Sequence, residues 1–444
     1  MSKASRQSAT ICLGEAGVVI GQLSYARSGA RENSSFVYAS EWLQTADRFT
    51  VSPDLGLVEG HQYHRAASRN DSVFHAAIAD TEPDGWGCRV IARDHAKRRK
   101  ALVDHGADVA LASLTEWDFL VAVDDCSRVG ALRLRDKSGH FLRTIEDGNR
   151  TTPPLLELAK LLGASQAVER GTETEAELRY LRGRGTSLGG LRPKCTVVDE
   201  DGRLAIGKFP SVNDERSVTK GEVLALLLAR RAGIDAAHAR IVFSEGTPVA
   251  VIRRFDRTVT GGRIPYLSAA SMLLAQRDEV RSYTEIADGI NANCADPRHD
   301  LTELWRRIVF NLLITNVDDH LHNHGFLHVR NGQWRLAPAF DLNPFPDKDQ
   351  ELRTWLTEDS ELVTDIRDVV RASARFGLNP DAAKRVLGEV YVAIRGWRDV
   401  AVAPAVGMLP READDFEPAF EHEQVRLAGK LLGGSFDASA GGKR

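Results

Sequence analysis

Apolar and polar residues alternate in short runs along the first 145 positions of this 444-residue chain, and apolar positions recur every three or four residues along its final third. A period of two puts every second side chain on one face of a sheet, so Val18–Ala26, Ser34–Tyr38 and Arg48–Ser52 read as strands between glycine-, serine- and proline-bearing breaks. A helix is expected from about Asp84 to Lys100 and another over Pro153–Ser165. The charged, glycine-punctuated stretch Glu169–Thr186 reads as a linker or loop. After it, Lys194–Val198 and Arg203–Phe209 flank the turn Asp199–Gly202 as a hairpin. A helix follows over Ser217–Ile234, capped by Ser217 and stopped by Gly233, with Val223, Leu226 and Leu227 at helical spacing. One more strand pair ends at Val249–Arg257, and the pattern then turns helical, with long candidates at Leu301–Thr315, Asp381–Val400 and Phe416–Leu432. The final stretch Gly433–Arg444 is too poor in apolar groups to pack and is expected to be disordered.

Length changes this picture first, because 444 residues exceed one ordinary core and imply two or three domains. Charge changes it less. Fifty-eight basic and 62 acidic residues give a net charge of −4, which offers no global electrostatic case for nucleic acid as a direct ligand. The basic run Lys97–Lys100 reads as a solvated helix face. Five scattered cysteines without a CxxC pair fit reduced thiols better than disulfides or a zinc knuckle. The N-terminus lacks a long apolar segment, and no window approaches about 18 uninterrupted apolar residues, so a cytoplasmic protein without a membrane span is expected.

The densest chemistry lies in Asn316–Phe326, NVDDHLHNHGF, with two adjacent carboxylates, three histidines and an asparagine. Its spacing suits phosphoryl transfer. Asp318 and Asn323 are separated by four residues, as are the base and the metal-binding asparagine of a kinase catalytic loop. A second metal-binding Asp is expected after a strand hairpin, and the strand, Asn331-Gly332 turn and strand before Asp341 supply that context. Carboxylate and amide oxygens suit Mg²⁺. Lys208 ends a strand and Glu222 lies 14 residues on in the next helix, the order required of a phosphate-holding lysine and its orienting glutamate. Upstream, Gly183–Lys194 is a glycine-rich loop whose bare backbone can approach phosphates. It is not a Walker A loop, because Leu191 and Arg192 follow Gly190 where Lys and Ser or Thr are needed. The competing enzyme class is a metal-dependent hydrolase. His320, His322 and His324 alternate and would share one face of a strand, although they directly follow an apolar helix where no strand is evident.

Taken in order, TSLGGLRPK, GKFP, RRFDR, NVDDHLHNHGF and APAFDLNP resemble the HipA family of toxin serine/threonine kinases from bacterial toxin–antitoxin modules, and VGALRL at Val129–Leu134 resembles that family's N-terminal domain. The resemblance implies an α+β, two-lobed, protein-kinase-like fold with Mg-ATP in its cleft. Its parts would be a HipA-like N-terminal α/β subdomain over 1–145, a kinase N-lobe over 146–256, an α-helical C-lobe over 257–432 and a tail over 433–444. It also implies Asp318 as catalytic base, Asn323 and Asp341 as Mg²⁺ ligands and Lys208 on the ATP phosphates. Backbone groups of Arg253 and Phe255 would meet adenine, Asp256 the ribose, and Ser187, Gly189 and Gly190 the phosphates, with His320 supporting the catalytic loop. Ser187 matches the serine that family members autophosphorylate, and a phosphate there would add about −1.5 to −2 charges and disable the loop. Position 322 is His where the family often has Lys, and Arg253 stands where an acidic residue can occur.

The implied function is an ATP- and Mg²⁺-dependent protein kinase that inhibits growth when free and is neutralised by a helix-turn-helix, HipB-like antitoxin. Its substrate would be a translation-related protein, aminoacyl-tRNA synthetases being the family's example. Operator DNA would be reached mainly through the antitoxin. The alternative is a catalytically silent binding module that serves the antitoxin as a repressor subunit, which the presence of Asp318, Asp341 and Lys208 argues against.

Overall fold

The computed structural model describes residues 5–104, 112–142, 155–181, 190–277, 279–349 and 351–433. The chain divides into two compact units, each assembled from non-contiguous segments. Met1–Asp214, Val242–Glu279 and Gly325–Trp334 form the first, and Glu215–Ile241, Val280–His324 and Arg335–Arg444 form the second.

Five strands of the first unit form a sheet in the order Gln62–His64, Arg31–Tyr38, Val18–Ser28, Ser5–Leu13 and Leu132–Arg135. All its pairings are antiparallel. Two of the expected strands lie in it, but the third, Arg48–Ser52, is irregular backbone. Its alternation serves aromatic packing instead of a ladder: Phe49 and Val51 are buried, and Phe49 stacks on His328 with ring centroids 3.9 Å apart.

A second sheet of this unit follows the order Lys194–Val198, Leu204–Lys208, Thr247–Arg253, Ala239–Ser244. The expected hairpin is present, with Val198 opposite Leu204 and Gly202 at φ +79°, a value that glycine adopts without a Cβ penalty. Helices Gly85–Asp104, Leu158–Arg170 and Glu175–Leu181 share a core with this sheet through residues such as Trp86, Leu161, Leu178, Val197 and Val251. The stretch read as a linker is therefore helical in part. Thr174 Oγ1 accepts from the Glu177 amide at 3.2 Å while the Glu177 carboxylate accepts from the Thr174 amide at 2.6 Å. That reciprocal cap and the buried pair Leu178 and Leu181 outweigh the glycines on either side. The Gly85–Asp104 helix is capped by Asp84, whose Oδ1 accepts from the Gly87 amide at 2.6 Å. Two members of its basic run are in ion pairs, Lys97 at 3.7 Å from Glu173 and Arg98 at 2.9 Å from Asp94.

Glu82, just before that helix, carries a testable pH dependence. Its Oε1 is buried without a hydrogen-bond partner, and burial, followed by the charge of Glu116, pushes its pKa up to about 8. The carboxyl is thus protonated in the folded chain at neutral pH and ionised once unfolded. Its contribution to stability is full below the unfolded value of 4.5 and is lost as the pH rises through about 8. Glu82→Gln keeps the shape and removes the titration. Thermal scans should show little change in Tm at pH 5 and a higher Tm for the variant at pH 9; an equal shift at both pH values would assign the effect to something other than this proton.

The second unit is mainly helical. Ser217 occupies the cap position of Val218–Arg231, but its side chain makes no capping bond, and Gly233 closes the helix at φ +79°. Glu222 is buried on this helix. Pro297–Leu313 starts earlier than its apolar pattern suggests, because Asp296 accepts from the His299 amide at 3.2 Å and Pro297 fits the first turn. Two long candidates are broken. Asp381–Val400 becomes Pro380–Arg395 and Trp397–Val402, divided at Gly396. Phe416–Leu432 becomes Glu417–Phe420 and Glu423–Leu431, divided near His422, whose Nε2 lies 3.2 Å from the Leu313 carbonyl. The expected all-helical C-terminal region also contains a ribbon, Leu352–Trp355 antiparallel to Leu362–Val363, in which Leu352 and Val363 pair and are buried. Among the described residues no helix is long and apolar enough to cross a membrane.

Candidate active site

Directly after the Pro297–Leu313 helix, Thr315 turns the chain at φ +54° and releases the loop that carries the dense motif. Two neighbouring carboxylates in this loop have opposite fates. Asp319 is buried, and its Oδ2 accepts from the Tyr283 hydroxyl, from Asn311 Nδ2 at 2.8 Å and lies 3.1 Å from His324 Nε2. Burial pushes its pKa up, but His324, the Tyr283 hydroxyl and His320 outweigh that and hold it below the usual carboxylate range. Desolvation and the same carboxylate push the Tyr283 hydroxyl far upward, so it donates throughout the physiological range. Asp318, by contrast, has a side chain that is 58% exposed. Asn323 Nδ2 donates to its carbonyl at 3.0 Å, and Arg353 Nη1 lies 3.3 Å from its Oδ1. The backbone of Asp318 is thus fixed by buried neighbours while its carboxylate faces outward.

The same network reaches Asp341. Asn311 Oδ1 accepts from Asn316 Nδ2 at 3.1 Å, Asn316 Oδ1 accepts from the Asn343 amide at 3.0 Å, and Asn343 Nδ2 donates to Asp341 Oδ1 at 3.1 Å. Asp341 itself sits at φ +55°, a conformation uncommon for a residue with a Cβ. Such strain persists only where surrounding contacts impose it, and it concentrates at functional positions. With Asn323 donating through its nitrogen, the amide oxygen is the atom it can offer a cation. Carboxylate and amide oxygens form the donor set that Mg²⁺ prefers, so these residues fit that ion.

The histidines do not form a strand-face metal site. Leu321–Asn323 is a short 3₁₀ turn, which removes the alternation that would align them: His322 is exposed and His324 is buried against Asp319. The His320 and His322 rings meet edge-to-face at 5.9 Å.

Several supporting residues escaped sequence reasoning. Tyr283, Asn311 and Thr354, whose Oγ1 donates to the Asp319 carbonyl at 2.7 Å, come from distant segments and carry no spacing signal. Asn316 and Asn343, each within two residues of a motif carboxylate, were the available clue.

In the first unit, Lys208 ends the strand Leu204–Lys208 and is half-buried, opposite Lys194 on one side and Ala250 on the other. Gly190 has φ +99°, and its carbonyl accepts from the Trp86 amide at 3.2 Å. Ser187 and Gly189 lie outside the described residues. Arg253 ends its strand and donates to Asp201 at 2.7 Å, while the Phe255 ring is 6.2 Å from Tyr266. Asp256 was expected at a ribose, but its side chain is about 1% exposed and both its oxygens are engaged. Arg254 Nε donates to Oδ1 at 2.9 Å, and Arg254 Nη2, Arg257 Nη1 and the Gly130 amide donate to Oδ2 at 2.6, 2.7 and 2.7 Å. Arg254 also donates to the carbonyls of Ser127 and Arg128 at 2.8 and 3.0 Å. Burial would raise the Asp256 pKa, and the two guanidinium groups hold it far below the usual range instead. The RRFDR and VGALRL segments, distant in sequence, are thereby tied together around this carboxylate.

Comparison with known proteins agrees with this architecture. Residues 186–397 match the family of HipA-like C-terminal domains. A Haemophilus influenzae protein named "Putative kinase" is 24% identical over 188 residues, covering 37% of this chain and 55% of its own length. "Putative kinase Y4mE" of Sinorhizobium fredii is 24% identical over 181 residues, covering 35% of this chain and 41% of its own. The chain thus spans about half the length of the curated relatives it matches. The fold is similar to that of a chain in the Shewanella oneidensis MR-1 toxin–antitoxin complex of HipA, HipB and its operator DNA, with a TM-score of 0.67 and 17% identity over 96% of this chain and 98% of that one. Over residues 186–397 the chain thus carries a HipA-like C-terminal domain, and the likeness to the Shewanella chain extends the shared fold over nearly its whole length.

Proposed function

We propose that the protein is an ATP- and Mg²⁺-dependent serine/threonine kinase, the toxin component of a toxin–antitoxin pair. The observation that carries this reading is the contrast between Asp319, consumed as a buried anchor, and Asp318, held by its backbone with an outward carboxylate. A general base must reach a substrate hydroxyl from a fixed position, and this is the geometry such a group needs. Asn323 and Asp341 would hold Mg²⁺, which supplies charge neutralisation for the phosphates when bound. Asp318 would orient the attacking hydroxyl and take its proton; Asp319, Asn311 and Tyr283 would keep that base in place. Lys208 as phosphate-binding residue and Ser187 as autophosphorylation site rest on the family resemblance. The HipB and operator DNA present beside the Shewanella chain support a helix-turn-helix antitoxin as partner. A translation-related protein is the substrate class that the family suggests.

The test is incubation of phosphate-free protein with Mg-ATP, followed by intact mass and site mapping. The wild type should gain phosphate at or near Ser187, and Ser187→Ala should lose the modification at that position. Antitoxin-free, phosphate-free protein that binds nucleotide and still transfers nothing would be a binding module, and the kinase reading would fail.

A further inference from the structure

A second cluster of chemistry-bearing side chains lies in the N-terminal sheet of the first unit. Asp54 comes from the loop after the short helix Ser40–Gln44, His64 ends the strand Gln62–His64, and His75 stands just before the helix Ala76–Ala79. One potential ligand atom from each lies within 4.8 Å of the others, and among the described residues this is the group of three that could hold a metal ion. His75 Nδ1 is 2.8 Å from Asp54 Oδ2, and His64 Nδ1 is 3.6 Å from the same oxygen.

The hydrogen bonds around the cluster show how its rings and carboxylate are oriented. His75 lies between two groups that can only accept, with Nδ1 2.8 Å from Asp54 Oδ2 and Nε2 3.2 Å from the Gln62 carbonyl. A neutral ring that donates its Nε2–H to the carbonyl turns the Nδ1 lone pair toward a carboxylate oxygen. A proton on Nδ1 or a cation between the two atoms each satisfies them, and the two compete for the same place. A ligating histidine that donates its other nitrogen to a backbone carbonyl is the usual arrangement at metal centres, because it fixes the tautomer and the ring. His64 is also hydrogen-bonded to the Ser72 backbone. Asp54 is organised too: the Ser52 hydroxyl donates to its Oδ1, and the Ala76 amide is 3.4 Å from its Oδ2.

We propose that Asp54, His64 and His75 form a binding site for one first-row divalent cation of the zinc class, with solvent completing the coordination. Two imidazoles and one carboxylate are a preferred ligand set for such ions, and Zn²⁺ bonds of about 2.0–2.2 Å at tetrahedral angles place ligand atoms about 3.3 Å apart. The His75 and Asp54 atoms would open by about half an ångström from 2.8 Å, and His64 would close from 3.6 Å by a little less. His75 is 3% exposed, whereas the side chains of Asp54 and His64 are 17% and 31% exposed, so one side of the site admits water. The three ligands come from separate segments beside an edge strand of the five-stranded sheet, and an ion there staples that edge. Binding to the folded chain alone must raise its stability by mass action.

The experiment titrates the untagged, chelator-treated full-length chain with Zn²⁺ by calorimetry and follows Tm with and without the metal. One equivalent should bind and raise the Tm. His64→Ala, chosen because His64 is the most exposed of the three ligands, should weaken binding at least about tenfold and abolish the Tm shift; His75→Gln should do the same if it folds. His322→Ala should bind as the wild type does. Absence of stoichiometric binding, binding unaffected by His64→Ala, or binding lost in His322→Ala would each overturn the proposal.

Discussion

Replacing Asp318 with Asn should abolish phosphoryl transfer and leave the fold intact. The carboxylate is more than half exposed, and its ion pair with Arg353, at 3.3 Å, is also exposed, a type of pair worth little to stability. The contact that fixes the residue is made by its carbonyl with Asn323 and survives the change. An amide cannot take the proton of an attacking hydroxyl, so the rate should fall by about 100- to 10,000-fold, the usual contribution of a positioned base. Transfer is measured by labelled phosphate incorporation, and folding by thermal scan. Transfer at the wild-type rate would remove Asp318 from the proposed role. The neighbouring substitution Asp319→Asn provides the contrast: it disturbs the buried cluster of Tyr283, Asn311 and His324 and should lower Tm markedly.

The second large effect is expected at Asp256, where a ligand contact and a buried anchor predict different outcomes. Asp256→Asn neutralises the carboxylate between Arg254, whose side chain is 0% exposed, and Arg257. Breaking a buried ion pair by removing one partner typically costs about 3–5 kcal/mol, because the remaining charge is left uncompensated. Burial would by itself lower the Arg254 pKa, and Asp256 reverses that. The variant should therefore unfold at clearly lower denaturant concentration, measured by urea titration, and should lose the link between the strand ending at Arg253 and the Ser127–Gly130 segment. Unchanged stability with weakened ATP binding would instead make Asp256 the ribose contact that the family resemblance suggests. The sign of the pH dependence adds a check. Its folded pKa lies below the ordinary value, so its stabilisation is present above that ordinary value and is lost as the pH falls through the lower one.

Much of the local architecture is legible in the chain because it follows from neighbours in sequence. The hairpin around Asp199–Gly202 was readable from two alternating runs and a turn-forming glycine. The start and stop of Val218–Arg231 were readable from Ser217 and Gly233, although only the glycine's part is realised as a cap. Where the readings failed, a longer-range contact intervened. Arg48–Ser52 alternates like a strand, but Phe49 is claimed by His328, which is remote in sequence. Glu175–Leu181 looks like a linker until its leucines find the core they share with Leu161 and Val197.

The candidate site divides in the same way. Sequence alone determined which residue types stand where: the separation of Asp318 and Asn323, the aspartate after the Asn331-Gly332 turn, and the ordered motifs of a HipA-like C-terminal domain. These are properties of spacing, and spacing survives without coordinates. Only the tertiary structure decided what each carboxylate does. Asp318 and Asp319 are adjacent and chemically identical, yet Tyr283, Asn311 and His324 converge on one and leave the other outward. Asp256 is committed to two arginines, and two histidines outside the histidine-rich motif, His64 and His75, gather beside Asp54. Burial and desolvation depend on which distant segments pack around a side chain, and that is the information a linear pattern does not contain.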